Sequence, residues 1–348
     1  MRAARYRAHG GPEVLELAEV PDPVPAPGEV LVRVAAVGLN RLDLLQRAGP
    51  GLLPGFALPH IPGTDIAGRL AAIGSGVEGR RVGDRVIVNP SMSCGACAFC
   101  RSGTDGLCPD KIVIGGSAPG GYGELCAVPA THVVGVPDHV DLVEAASIPT
   151  VFSRAWQSLF VSGGLAIGET LLVHGASSGV TIAAVQLAKL AGAQVIVTSR
   201  SDAALDYAAG FGADAGINTT TTDLVEAVLE LTGGRGVDIV FDHLGPALFA
   251  ASIRSLRPQG RMVFCGVTTG DTVQLHLPSV YHRGITLIGS QSYTSADFDR
   301  MVAQCWTASL RSIVDRTLPI DEVAKAHQLM ENGELRGKLV LVHRAQDI

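Results

Sequence analysis

Charge is scarce in this chain. Asp, Glu, Lys and Arg make up 17% of its 348 residues, and no run of Lys or Arg forms a stripe. The net charge of −6 has the wrong sign for phosphate backbones, so no DNA or RNA partner is expected. Long apolar runs are missing as well. The opening "MRAARYRAHGGPEV" has no apolar core of the kind a secretory signal needs, and the longest uncharged window, 170–188, is broken by "HGASSG". A soluble cytoplasmic protein without a membrane span is therefore predicted. The seven cysteines are odd in number, and four of them crowd into 15 positions, which argues against a secreted disulfide framework and for a metal.

What is present is apolar bulk and glycine. With 47% apolar residues and this length, the chain fits two domains, each able to bury its own core. Forty-two glycines imply many tight turns and places where backbone approaches something closely. Up to about residue 140, short alternating strands such as "EVLVRVAAVG" and "DRVIVNP" are cut by turn residues, which predicts a β-rich domain. A helical stretch over 141–160, interrupted by Pro149, holds the domain junction. Strands and helices then alternate from "TLLVHGA" to "ITLIGS", with near-continuous Val, Ile and Leu runs, as strands covered on both faces must have. The overall expectation is an α/β chain: a β-rich domain from 1–150 with 277–348, completed by the strand "GKLVLVH", and a doubly wound parallel-sheet domain over 151–276.

The segment "TLLVHGASSGVTIAAVQLAKLAGAQVIVTSRS" has the order strand, small-residue turn, helix, strand. Gly175, Ala176, Ser177, Ser178 and Gly179 supply a surface on which a pyrophosphate can reach the N–H groups opening a helix. Val180, Ala184, Leu187, Ala188 and Ala191 form a stripe for packing on the sheet. Ala176, Ser178 and Thr181 stand where the usual fingerprint has glycines, so a non-nucleotide α/β unit is the competing reading. At the end of the second strand come Ser199 and Arg200: no carboxylate repels a 2′-phosphate there, and a guanidinium can bind one, which favours NADP(H) over NAD(H). Otherwise Arg200 is a solvated surface charge.

Cys94, Cys97, Cys100 and Cys108 are spaced C-x2-C-x2-C-x7-C. Four thiolates close a tetrahedral Zn²⁺ shell and leave no position for water or substrate, so the metal would be structural. An iron–sulfur cluster is the competitor, since Cys108 is followed by Pro109, but its last spacing is ordinarily three residues. Cys126, Cys265 and Cys305 read as small buried hydrophobes.

A cysteine loop near residue 100 followed by a nucleotide fold near 175, together with "GGPEVLEL", "PGEVLVRVAAVGLN", "HIPGTDIAG", "GVEGRRVGDRV", "VHGASSGV", "DHLG" and "GRMVFCGV", resembles the medium-chain dehydrogenase/reductase superfamily over essentially the whole chain. The resemblance implies a GroES-like catalytic domain and a Rossmann NADP-binding domain. It also implies a small-molecule substrate and a homodimer or homotetramer. The zinc alcohol dehydrogenases of this superfamily hold a catalytic zinc through Cys, His and Cys; here those places carry Asn40, Thr64 and about Pro149, and Leu42 replaces a proton-relaying hydroxyl. Asp43, His60 and Asp65 are near in sequence but would have to converge to rebuild a site. The chain thus looks like the quinone oxidoreductase branch, yet keeps the structural zinc loop.

By the same resemblance Ser177, Gly179 and Val180 border the pyrophosphate and Ser199 and Arg200 the adenosine phosphate. Ser153, Leu244, Gly266, Val267 and Ser290 border the nicotinamide half, and Lys338 approaches the cofactor. The expected reaction passes a hydride from NADPH to a quinone or an enal or enone. Asn40 is the first candidate donor to the acceptor oxygen and Thr64 the second, while Asp43 is more readily a structural partner than an acid–base group. His174 and His243 read as neutral, packed imidazoles. Two other functions stay open: a zinc alcohol dehydrogenase, and a non-catalytic NADPH-binding structural or sensor protein.

Overall fold

A computed structural model describes residues 1–49, 53, 55–308 and 310–343. The chain divides into two units, Met1–Val151 with Tyr293–Ile348, and Phe152–Ser292. Residues 277–292, expected in the catalytic domain, fall in the second unit. The reason is the strand Thr286–Gly289, which pairs in parallel with Leu256–Phe264 and so extends the nucleotide sheet.

The first unit is built on a sheet with the strand order Val314–Pro319, Lys338–Val342, Glu29–Gly38, Asp65–Ile73, Arg85–Val88 and Val133–Gly135. Glu29–Gly38 is its spine. Val30, Val32 and Val34 alternate into one apolar core with Ile66, Leu70, Val86, Val88, Leu339 and Leu341, the period of two that a pleated strand imposes. In the register adopted, Gly38 pairs with Asp65 on one side and with Val340 on the other. Residues just past position 38, those at 64 and 65, and Lys338 are thereby gathered at one end of the sheet. As expected, "GKLVLVH" returns to this unit, where it lies between two strands instead of at an edge.

The second unit is a six-stranded parallel sheet in which the strands, counted along the chain, lie in the order 3-2-1-4-5-6. This is the doubly wound dinucleotide-binding topology, whose ligands sit beyond the carboxyl ends of the strands. Thr170–His174 is buried at every position, which accounts for its uninterrupted apolar run. The helix Gly179–Leu190 differs from the expected one-sided stripe: Thr181 to Ala188 are all buried, while Val180 is only half-buried. New elements here include the short strand Ala215–Asn218, the short helix Leu277–Tyr281 and the helix Pro246–Ser255, which has Pro at its first position. The stretch over 141–160 is three pieces, Leu142–Ala145, Pro149–Trp156 and a π-helical turn Gln157–Ser162. Pro149 opens the second piece, where its missing N–H costs nothing.

Candidate functional site

The cysteine loop is folded for a metal. Cys97 precedes the short helix Ala98–Arg101 and its sulfur accepts the Cys100 N–H, which turns three thiols inward. The ligand atoms of Cys94, Cys97, Cys100 and Cys108 all lie within 4.8 Å of one another, with Sγ–Sγ separations of 3.4 Å for Cys97–Cys100 and 3.9 Å for Cys94–Cys100. A tetrahedron with Zn–S bonds of about 2.3 Å has edges of about 3.8 Å, so the four residues fit a closed structural zinc. The backbone N–H groups of Ala96 and Cys97 bring the Cys94 thiol down to about 7, toward the thiolate a metal needs. Cys126 and Cys305 are buried as expected; Cys265 is not, because it lies one residue past its strand and is half-buried.

The nucleotide turn follows His174. Gly175 sits at φ +77°, and the N–H groups of Gly175 and Ala176 donate to Thr198 O, which closes the turn on the neighbouring strand. Ala176 packs inward, while the Ser177 and Ser178 hydroxyls have no protein partner among the described residues at the start of the helix. Ser199 Oγ accepts the Ser201 N–H at 3.1 Å. Arg200 is exposed and makes no ion pair among the described residues. Buried oxygens lacking partners add to this picture. Ser153 Oγ, Gln157 Oε1 and Asp242 Oδ2 are such atoms, the first two one helical turn apart and the third at the carboxyl end of its strand. Asp242 Oδ1 accepts the N–H groups of Leu244 and Gly245. Ser290 Oγ lies 2.9 Å from Ser158 Oγ, and Gly266 has φ +92° beside an exposed Val267. A nicotinamide dinucleotide fits residues arranged in this way. The sequence alone did not single out Gln157, Ser158 or Asp242.

His174 is neutral, and its tautomer is set by its partners. Ser252 donates its hydrogen to Leu248 O, so His174 Nε2 donates to Ser252, and Nδ1 accepts from Thr198 at 2.9 Å. Burial lowers His174 and His243 to about 4 each. Thr181 donates to His174 O, so His243 Nε2 donates to Thr181.

At the sheet end in the first unit stands a buried polar network. The Asn40 backbone N–H donates to Asp43 Oδ2 at 2.8 Å, and the Gly63 N–H donates to Asp43 Oδ1 at 3.1 Å. Burial raises the Asp43 carboxyl to about 7, and both its oxygens are engaged by backbone, which makes Asp43 a structural clamp between its helix and Gly63. Asn40 Nδ2 donates to Thr64 Oγ1 at 2.8 Å and to Gly38 O at 3.3 Å. Lys338 Nζ donates to Leu39 O at 2.7 Å, Asn40 Oδ1 at 2.8 Å and Asp65 Oδ2 at 2.9 Å. Asp65 Oδ1 accepts both the N–H and the hydroxyl of Thr150. The Lys338 side chain is 3% exposed and that of Asp65 wholly buried.

Two family models match: the alcohol dehydrogenase GroES-like domain over residues 26–138 and the zinc-binding dehydrogenase over 179–307. A solved NAD-dependent alcohol dehydrogenase is 39% identical with a TM-score of 0.93, covering 98% of this chain and 99% of its own. The chain belongs to the medium-chain dehydrogenase/reductase superfamily. An acryloyl-coenzyme A reductase of Metallosphaera sedula is 30% identical over 98% of this chain and 99% of its own length, and a human quinone oxidoreductase 27% over 98% of each. The protein is thus an oxidoreductase of this superfamily.

Against the zinc enzymes of the superfamily, the catalytic metal does not fit. Pro149 offers no donor atom, and Asn40 Oδ1 and Asp65 Oδ2 are taken by an ammonium group. His60 Nε2 is bonded to Gly115 O at 3.0 Å, and burial lowers the ring's basicity. Among the described residues, the four cysteines are the one group of three or more His, Cys, Asp or Glu side chains gathered for a metal. Lys338, expected at the cofactor, has all three Nζ hydrogens committed to Leu39, Asn40 and Asp65. No helix is long and apolar enough to cross a membrane among the described residues.

Proposed function

We propose that the protein transfers a hydride from NADPH to an α,β-unsaturated carbonyl or a quinone without a catalytic metal, and that it carries one structural zinc at Cys94, Cys97, Cys100 and Cys108. The observation that carries this reading is the Lys338 ammonium, which is bonded to Asn40 and Asp65, so that a cation already engages Asn40, one of the places where the zinc enzymes have a ligand. Oxidising a simple alcohol is harder without a Lewis acid to stabilise the alkoxide, whereas a conjugated acceptor needs only hydrogen-bond donors at the oxygen on which charge develops. The names of two relatives, acryloyl-coenzyme A and quinone, both conjugated acceptors, support the same choice.

The cofactor supplies the hydride. Ser177, Ser178, Gly179 and Val180 hold the pyrophosphate at the helix start, and Arg200 with Ser199 takes the 2′-phosphate. Ser153, Leu244, Gly266, Val267 and Ser290 border the nicotinamide. A donor from the Asn40–Thr64 pair holds the acceptor oxygen. The hydride adds to the β-carbon, the electron pair moves to that oxygen, and water returns a proton at the α-carbon.

The test is NADPH and NADH oxidation followed with enones, quinones, aldehydes and alcohols. Turnover of conjugated acceptors is expected, and fast alcohol oxidation that depends on a second metal would overturn the reading. Arg200→Ala removes a charged hydrogen-bonding partner and is expected to raise the KM for NADPH about 10- to 100-fold while leaving that for NADH unchanged.

A further inference from the structure

Counting hydrogens in the buried network identifies which group faces the substrate oxygen, an inference that rests on the hydride-transfer reading above. Lys338 has three hydrogens and three acceptors, Leu39 O, Asn40 Oδ1 and Asp65 Oδ2. The ammonium therefore fixes the orientation of the Asn40 amide. A flip would set NH₂ against NH₃⁺. With Oδ1 held by Lys338, Nδ2 faces Thr64 and Gly38, and both its hydrogens are used. Thr64 Oγ1 is then an acceptor from Asn40, and its own hydrogen has no acceptor among the described residues. It is the one open donor in the network.

We infer that Thr64, not Asn40, donates to the acceptor oxygen, and that Lys338 is a positioning residue that sets the Asn40 amide so that this donor stays free. Anchored by its bond to Asp65, Lys338 donates to Asn40 and Asn40 donates to Thr64, two bonds oriented the same way, so the ammonium polarises the amide and the amide polarises the hydroxyl. A fixed cation inside the fold thus does part of what a metal does at the same place, but acts through two hydrogen bonds and never touches substrate. Binding a cofactor phosphate instead would require Lys338 to abandon at least one of three buried acceptors.

The experiment uses the full-length, zinc-loaded protein, and measures kcat and KM for a conjugated acceptor alongside the NADPH Kd by fluorescence titration. Thr64→Val is expected to lower kcat about 100-fold with the NADPH Kd unchanged, as loss of one oxyanion donor does, and Thr64→Ser to restore most of it. Lys338→Met should lower kcat with the same unchanged Kd, and the double variant should be no worse than the poorer single one, because both act in one chain. If Lys338→Met alone fails to fold, Lys338→Met with Asp65→Asn removes the unpaired carboxylate and serves instead. A raised NADPH Kd at unchanged kcat would make Lys338 a cofactor residue, and wild-type kcat in Thr64→Val would remove Thr64 from the reaction; either overturns the inference. The Asn40 side-chain amide resonance, assigned by its loss in Asn40→Asp, gives a reading independent of turnover. It should resist solvent exchange in the wild type and exchange freely in Lys338→Met; equal exchange in both refutes the positioning role. A wild type that binds NADPH but reduces no acceptor would refute the hydride-transfer reading, and the amide signal would still decide the role of Lys338.

Discussion

Mild acid should weaken the Phe152–Ser292 unit through two imidazoles. His174 and His243 are buried in it and titrate at about 4, against 6.5 for an ordinary histidine. Between those values the unfolded chain binds protons that the folded chain refuses, so stability is complete above pH 6.5 and falls as pH drops through the window. At pH 5 each imidazole costs ~2 kcal/mol, or about 4 kcal/mol for the pair. Asp242 works the other way, since burial raises its carboxyl, and offsets part of the loss. The chain has two tryptophans, and Trp156 lies in this unit while Trp306 lies in the other, so Trp306→Phe leaves a single fluorophore reporting on the nucleotide sheet. With a urea slope of ~2 kcal/mol per molar, the Trp156 transition should move down by up to about 2 M between pH 7.5 and pH 5. His174→Gln can keep both hydrogen bonds of the neutral ring without titrating, and should remove about half of the shift. A midpoint that stays put, or a His174→Gln variant as pH-sensitive as its parent, would refute the reasoning.

Metal analysis of protein purified without added metal should give about one zinc per chain, lost in Cys94→Ser with Cys97→Ser, after which 94–108 becomes sensitive to protease while NADPH binding persists; two zincs would sink the metal-free acceptor site. Gly63→Ala should lower stability by about 3 kcal/mol in thermal melting. Gly63 has φ +100°, and an added Cβ would meet Tyr122 Cδ1 at 2.6 Å and Val37 Cγ2 at 2.9 Å.

The nucleotide unit was legible because its signals are local: a buried strand, a small-residue turn and a helix follow one another within about 30 residues. The zinc loop was legible for the same reason. The buried polar network around Asn40 was only half visible. Asn40 and Thr64 stood out because they replace ligands, but their relation to Lys338 depends on the pairing of Val340 with Gly38, just over 300 residues apart, which no spacing rule displays. Arg33, Arg69 and Arg85 make the same point. No basic run occurs in the sequence, yet the three lie directly opposite one another on adjacent strands as a short cationic row. The strand Ala215–Asn218 was missed because four residues at a sheet edge, one of them glycine, carry little period-two signal.

The position of Lys338–Val342 between two strands of the first sheet bears on biosynthesis. Phe152–Ser292 is one continuous segment and can fold as soon as it clears the ribosome, whereas the first sheet waits, with the Ala36–Gly38 end of its spine strand lacking a partner on that side, until the closing strand arrives. The order of folding therefore runs against the order of the sequence: the unit that begins later in the chain matures first. Because the ammonium group enters on that closing strand, a nascent chain carries a finished nucleotide fold before the polar network around Asn40 and Asp65 is complete.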